Sequence, residues 1–455
     1  MSATFDLGSV PADVLGIVAK LRDAGRRAWL VGGGVRDALR GRPAADWDVA
    51  TDAPPTQLLS VFPDAVPTGL QHGTVTVVVG KHHYEVTTLR GETAYSDGRR
   101  PDAVVFVDDI TADLARRDFT INAIAVDPSS GAVIDPFGGQ RDLAAKVLRA
   151  VGTPAQRFAE DGLRALRAAR FAATLECTIE PATLAAIGGA LPTFRKVSAE
   201  RVRDEWLKAM RAARPSRAFE VMRETGMLAI TCPELLEGVG MAQNKWHAFD
   251  VWRHGMACLD ACTGDPVLRI AALLHDVGKP RTRAFSDKTK DWTFYDHDRI
   301  GAEIADPICQ RLKFSTDERQ RIVALVRHHL FHYDQWTDAA VRRWIRRVGR
   351  ERVEDLYVLG EADVRSKAER IDDADLLPLQ QLRLHVERVL AAGAALSVKD
   401  LAVDGNDLMR ELGMRPGPAL GDLLEYLLEQ VLAEPACNER PQLLALARSF
   451  AAGPK

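Results

Sequence analysis

The stretch that most constrains this chain is Val31-Gly32-Gly33-Gly34-Val35-Arg36-Asp37, followed by Asp46-Trp47-Asp48. Strand residues i and i+2 point to one face, so a short strand here aims the Asp46 and Asp48 carboxylates the same way. So placed, they can share two Mg²⁺ ions, which clamp the attacking and leaving oxygens of a phosphoryl displacement. The glycines let backbone N–H groups approach a triphosphate closely. A dinucleotide-binding turn fits poorly, because GGGVRD lacks the GxGxxG spacing and the acidic residue of a second strand. A tight turn or a solvated strand face would explain each piece alone, but not the two together with Arg36.

A polyanionic partner has to be met locally, because the 455 residues carry a net charge of only −3. Residues 141–217 hold 15 Lys and Arg against 8 Asp and Glu, so this segment is basic and the remainder acidic. A basic segment directly after a nucleotide-handling region suits a nucleic acid, with a solvated helical surface as the plain alternative. Hydrophobic residues make up 46%, ample for several packed domains at this length. The six cysteines form no CxxC pair, and Cys258 and Cys262 are spaced as on one helix face. They read as structural thiols of a reduced, cytoplasmic protein. Neither a secretory leader nor a membrane span is expected.

Helical spacing predicts an amphipathic helix over 11–24, and strands are expected at 28–31, 47–50, 74–79, 84–89, 104–107 and 123–126. Beyond Arg141, Ala, Leu, Arg and Glu recur at helical spacing and strand signals nearly vanish. The fold class is therefore α+β: a small mixed β-sheet head followed by an almost entirely helical remainder, with breaks near Pro192, Pro215, Pro233, 285–295 and 413–417.

The segments LVGGGVRDALRGRPAADWDVAT (30–51), YEVTTLR (84–90), YSDGRRP (95–101), RRDFTINAIAV (116–126), DPFGGQRDL (135–143) and EDGLRALRAARFA (160–172) are near-continuous over 30–210. In them the chain resembles the tRNA nucleotidyltransferase and bacterial poly(A) polymerase family, class II, of the DNA polymerase beta superfamily. The resemblance implies a five-stranded catalytic head (1–145), a helical neck and RNA- or nucleotide-binding region (146–240), a body (241–375) and a tail (376–455) that meets the tRNA elbow. Carried over by position, Gly33, Gly34 and Arg36 hold the triphosphate, Asp46 and Asp48 ligate Mg²⁺, and the pair Arg117-Asp118 reads the ribose 2′-OH. Glu85 stands where related transferases often have a third carboxylate, with a solvent-facing strand residue as the equal alternative. The 91–101 segment resembles the loop used in switching from C to A addition, or is an ordinary hairpin connection. In the 198–210 neck, Arg201, Arg203 and Lys208 are candidate tRNA backbone contacts, and Ser198 is a good N-cap.

Asp161 and Arg164 carry a physical argument. At i and i+3 they are neighbours if both lie on a helix. Arginine offers only donors and carboxylate only acceptors. Cytosine and adenine each present a ring-nitrogen acceptor beside an exocyclic amino donor, whereas uracil and guanine present the opposite order. One Arg and one Asp can therefore accept C and A and reject U and G. Arg167 and Arg170 continue the row, to touch phosphate or brace the site.

Seven of the eleven histidines lie between His247 and His332, around the doublet His275-Asp276. Imidazole and carboxylate suit transition metals or Mg²⁺. This region resembles the HD phosphohydrolase superfamily, and the matching residues are His254, His275, Asp276 and Asp363. His297, His328 and His329 are candidates for a second ion. Some transferases of this group keep 2′-phosphatase or 2′,3′-cyclic phosphodiesterase activity there, and others keep only the fold. Near the end, the 413–421 turn opens an amphipathic helix whose N–H groups could meet phosphate, or is a capping turn.

The leading expectation is addition of CMP, CMP and AMP to the tRNA 3′ end from CTP and ATP, with two Mg²⁺ in the head. Poly(A) or A-only addition on the same scaffold is the nearest alternative. An HD phosphohydrolase with a nucleotide-binding head is the second, and a non-enzymatic RNA-binding scaffold the third.

Overall fold

Strand β1 (Ala28–Val31) is buried along its whole length, which places it inside a sheet with both faces covered. The computed structural model describes residues 4–44, 46–70, 73–91, 105–330, 333–334, 336–368, 370–393 and 395–452. Around β1 stand β2 (Asp48–Thr51), β3 (Val66–Gly69), β4 (Thr74–Val79), β5 (His82–Thr88), β6 (Ala125–Val126) and β7 (Val133–Ile134). Their order is β3-β4-β5-β2-β1-β6-β7. Only the β2–β5 pairing is parallel.

The sheet therefore has seven strands where five were expected. The strand expected at 123–126 is β6, cut to two residues, and the additions are β7, also of two residues, and β3, which is largely exposed. Such strands carry too few residues for a period-2 pattern to register. The strand expected at 104–107 is only a single bridge, Arg90 to Phe106, among the described residues.

Alternation along the strands separates two cores. Leu30, Val49, Val75 and Val86 pack on one face against the helix Ala12–Asp23, which buries Val14, Ile17, Val18 and Leu21 at helical spacing. Each such side chain contributes about 1.5–3 kcal/mol by leaving water. Trp29, Val31, Ala50 and Leu89 pack on the other face with Ile110 and Leu114. Asp48 and Ala50 share that second face on β2.

Past the sheet, the helix Pro154–Glu160 stops at Asp161, whose backbone is extended (φ −144°, ψ 109°), and a new helix runs Leu163–Thr174. Gly162 lies in the break because a Cβ there would come within 2.6 Å of the Phe194 backbone. Strands β8 (Val147–Leu148) and β9 (Thr178–Ile179) pair in parallel beside these helices. The neck helix Ala199–Ala209 starts after Ser198, which takes the N-cap position without a side-chain bond.

The chain divides into two compact units, Met1–Leu236 and Glu237–Lys455. The second is helical apart from a hairpin of β10 (Ala284–Ser286) and β11 (Asp291–Thr293), another departure from the helical expectation. Its C-terminal core gathers Leu408, Leu423, Leu427, Val431 and Leu443. The turn at Gly413 leads, as read, into a helix, Pro418–Ala433. No described helix is long and apolar enough to cross a membrane.

Gly162→Ala is expected to lower stability by about 1–3 kcal/mol, the usual cost of overpacking, read as a drop in Tm. An unchanged Tm would mean that the Phe194 backbone yields to the added methyl.

Candidate active site

A cavity of about 1360 Å³ opens on the sheet face that carries Asp48. Its wall includes Asp46, Asp48, Glu85, Thr76 and Thr87 from the sheet side, and Asp161, Arg164, Arg167, Arg170 and Arg201 from the helices. Twelve Arg or Lys side chains line it against eight carboxylates, a balance suited to a polyphosphate.

Asp46, Trp47 and Asp48 alternate as expected: Trp47 is buried at 3% exposure, and the flanking aspartates face the cavity. Parallel pairing sets Asp48 level with Glu85. Burial pushes the Asp48 carboxyl up to about 6; Arg117 opposes the shift, and Glu85 and Asp46 add to it. A half-buried carboxylate crowded by two others is a donor set for a hard divalent cation. Gly32 (φ +77°) completes the cradle, since a Cβ there would lie 2.6 Å from Asp48 Oδ2. Sequence reading missed Gly32, although the glycine run contained it.

Gly32 and Gly33 line the cavity as the first turn of the helix Gly32–Leu39. Gly34 does not line it; a Cβ there would meet the Asp46 carbonyl oxygen at 2.7 Å and the Trp47 ring at 2.9 Å. What Gly34 supplies is close packing of that helix on the strand. Arg36 donates from Nε and Nη2 to Asp37 (2.9 and 2.8 Å) and from Nη1 to Asn122 Oδ1 (2.8 Å). Two of its five N–H donors remain.

Arg117 and Asp118 bond different partners within the protein. Arg117 Nη2 reaches Asp113 at 3.3 Å, while Asp118 Oδ2 is held by Arg167 at 2.7–2.8 Å. Asp118 Oδ1 accepts from the Phe119 N–H and Asn122 Nδ2. Burial pushes its carboxyl up, but the Arg167 charge and the Asn122 hydrogen bond win and hold it below its ordinary value. Adjacent residues that point to different partners cannot be told from a pair in the sequence.

Asp161 and Arg164 are both at the cavity, but not through an i, i+3 helix face. Asp161 sits in the break before the helix that holds Arg164. Its Oδ1 accepts the Leu163 N–H at 2.9 Å, and Arg201 Nη2 reaches Oδ2 at 2.8 Å. Arg164 bonds Glu160 and donates to the carbonyls of Arg157 (3.0 Å) and Arg116 (2.9 Å). Arg170 is braced by Glu205 at 2.5 Å and stacks on Phe171. Arg201 thus faces the cavity, where an RNA backbone contact was expected. Arg201, Glu205 and Lys208 share one face of the neck helix, a signal their spacing offered. Arg203 pairs with the neighbouring Asp204. Of the 91–101 segment, only Gly91 lies within the described residues.

The second unit gathers the histidines around Asp276. Asp276 Oδ2 stands 3.2 Å from both His254 Nε2 and His275 Nε2, and 2.5 Å from Lys279 Nζ. Its Oδ1 stands 3.3 Å from His297 Nε2 and 3.8 Å from His329 Nε2. Asp363 Oδ1 lies 3.1 Å from His254 Nε2. His275, His297 and His329 each give Nδ1 to the carbonyl three residues back, at 2.6–2.7 Å. Nε2 of His297 and of His329 is buried without a hydrogen-bond partner. Burial pushes His329 down to about 3, with help from His275 and His297, so it is a neutral imidazole as a metal requires. Gly278 allows the His275-Asp276 turn to meet the helix of His297; a Cβ there would lie 2.2 Å from the His297 carbonyl oxygen. Two triads meet metal-ligand spacing, His254 with His275 and Asp276, and Asp276 with His297 and His329. His328 belongs to neither, and His332 lies outside the described residues.

Residues 28–149 match the family model described as "Poly A polymerase head domain". Residues 177–238 match "Probable RNA and SrmB- binding site of polymerase A", and 283–447 match a tRNA nucleotidyltransferase domain 2 model. An A-adding tRNA nucleotidyltransferase of Deinococcus radiodurans is 37% identical over 88% of this chain and 91% of its own length. The chain belongs to the tRNA nucleotidyltransferase and poly(A) polymerase family. A CCA-adding enzyme of Levilactobacillus brevis is 33% identical over 94% of this chain and 95% of its own. Among solved structures, the Bacillus stearothermophilus CCA-adding enzyme in complex with CTP aligns with a TM-score of 0.69 at 27% identity, covering 96% of this chain and 97% of that one. Family membership fits the α+β class and the sheet-plus-helix cavity.

Arg167→Met is expected to destabilise the protein by about 1–3 kcal/mol near neutral pH, because the buried Asp118 loses its opposite charge and keeps only the Phe119 and Asn122 hydrogen bonds on Oδ1. A carboxyl held below its unfolded value stabilises the fold above that value, and the gain disappears as pH falls through the folded value. The gap between wild type and variant should therefore shrink toward pH 4 and below. Denaturant titration at several pH values checks this, and a gap independent of pH would sink it.

Proposed function

We propose that this protein adds CMP, CMP and AMP to the 3′ end of tRNA from CTP and ATP, without a nucleic-acid template. The observation that carries this is one cavity shared by Asp46, Asp48 and Glu85 from the sheet side and by Asp161 and Arg164 from the helical side. Asp46 and Asp48 would hold Mg²⁺, and they fit because burial, with Glu85 and Asp46 adding to it, disfavours the bare Asp48 charge that a cation would offset. Bound there, Mg²⁺ eases deprotonation of the terminal 3′-OH and stabilises the leaving pyrophosphate. The Gly32 and Gly33 turn, the free donors of Arg36, and Arg117 bind the triphosphate. Asp161 accepts the exocyclic amino group of cytosine or adenine, and Arg164 donates to the ring nitrogen. Arg167 and Arg170 brace the wall through Asp118 and Glu205. The basic 141–217 segment grips the acceptor stem through its phosphates, and the tail (376–455) meets the elbow, so binding weakens with salt. A reduced cytoplasmic setting agrees with the free cysteines.

The test is a tRNA transcript lacking its last three nucleotides, incubated with Mg²⁺ and labelled CTP, ATP or both. CC addition with CTP and one further A with ATP are expected. Asp46→Asn and Asp48→Asn should each slow addition by roughly 10²–10⁴-fold, the several kcal/mol that metal-borne charge stabilisation supplies. A ladder of A residues without use of CTP would make the protein a poly(A) polymerase. A single A on a CC-ended tRNA alone would place it with its A-adding relative.

A second activity rests on a separate observation, the partnerless Nε2 atoms of His297 and His329 facing Asp276. We infer that residues 241–375 form an HD domain with two neighbouring donor groups for divalent metal that share Asp276. His254, His275 and Asp363 serve one, and His297 and His329 the other. Metals of this kind polarise phosphoryl oxygens, which suits a 2′-phosphate or a 2′,3′-cyclic phosphodiester. Metal content of purified protein should fall in His275→Ala and in His297→Ala, with loss of phosphate release from a 2′-phosphate and of ring opening of a 2′,3′-cyclic phosphodiester to its monophosphate ester. Equal metal content and equal residual activity in wild type and variants would end this reading.

A further inference from the structure

We infer that Arg201 is a positioning residue for base selection: it aims the Asp161 carboxylate, and so sets how strongly C and A are preferred to U and G. This rests on the reading of the cavity as a nucleotide-adding site. Asp161 is the member of the reader that no helix holds, because its backbone is extended between two helices. Its side chain must be fixed by bonds instead. Arg201 supplies two of them, Nη2 to Oδ2 at 2.8 Å and Nη1 to Oδ1 at 3.4 Å, and the Leu163 N–H supplies a third at 2.9 Å. A carboxylate has about four acceptor positions, so one direction is left, and the guanidinium fork determines which. A fixed acceptor can take an amino N–H and cannot satisfy a carbonyl oxygen.

The ion pair is sheltered, with side-chain exposures of 24% for Arg201 and 19% for Asp161. Its base is rigid. One turn on from Arg201, Glu205 is 3% exposed and bonded to Arg170, and Trp206 is 1% exposed. Arg164 takes its orientation from other groups, Glu160 and the carbonyls of Arg116 and Arg157. The two halves of the reader are therefore set independently, and Arg201 acts on Asp161 alone.

The experiment uses the full chain with a tRNA transcript as primer. It measures kcat/KM for whichever of CTP and ATP the wild type uses, against UTP or GTP, together with KM for tRNA. Arg201→Gln should lower the ratio of correct to incorrect nucleotide about tenfold or more, a loss of at least one bidentate contact's aim. The tRNA KM should stay within about twofold, since the neck's phosphate contacts are untouched. Arg201→Lys, which keeps charge without the fork, should fall between. In Asp161→Asn the further change Arg201→Gln should add nothing to the loss of selectivity, because coupled residues are non-additive. An unchanged ratio in both Arg201 variants, with a raised tRNA KM, would overturn the inference and make Arg201 an RNA contact. So would additive losses in the double variant. Should Arg201→Gln lose its folded melting transition, Arg201→Lys alone decides between these results. A wild type that adds no nucleotide at all would instead overturn the proposed function, and the inference with it.

Discussion

The head is organised around one electrostatic problem, the keeping of Asp48 among other carboxylates at a half-buried place. Isolated in an apolar wall, such a group neutralises. Here it is pushed only part of the way, to about 6, because Arg117 opposes burial and the neighbouring acids. The β1–β2–β5 register sets Asp48 beside Glu85, and the missing side chain of Gly32 leaves the Asp48 carboxylate uncrowded. The short sheet can carry this because its other face holds a full apolar core.

Around that centre, arginines outnumber acids, yet most have defined partners in the protein. Arg36 is on Asp37 and Asn122, Arg116 on Asp113, Arg167 on Asp118, Arg170 on Glu205 and Arg201 on Asp161. Guanidinium groups fixed this way need little reorganisation when a polyphosphate arrives, which is where electrostatic stabilisation is most effective. The histidine cluster in the second unit follows the same rule with hydrogen bonds to the chain's own carbonyls.

The long, periodic parts of the fold were legible in the sequence. The helix Ala12–Asp23 and strands β1 and β4 stand where spacing put them. Strands β3, β7, β8 and β9 and the β10–β11 hairpin were not, because pairing with distant partners makes them strands and composition does not. At the site, the residues that converge were readable as a set, and their pairings were not. Asp118 and Arg117 are neighbours that turn apart, and Asp161 and Arg164 meet across a helix break. Arg201 lies forty positions from Asp161, and a one-dimensional pattern gives no reason to join them.

That helix break gives the scaffold a mechanical division of labour. The carboxylates beside Gly32 belong to a sheet with hydrogen-bonded register and two cores, whereas Asp161 stands in a short extended joint, next to Gly162 on the Phe194 backbone and tied to the neck by Arg201. A change in the angle of the joint redirects Asp161 without disturbing the strands beneath Asp48. On the proposed reading of Asp161, nucleotide choice and bond formation therefore rest on separate supports.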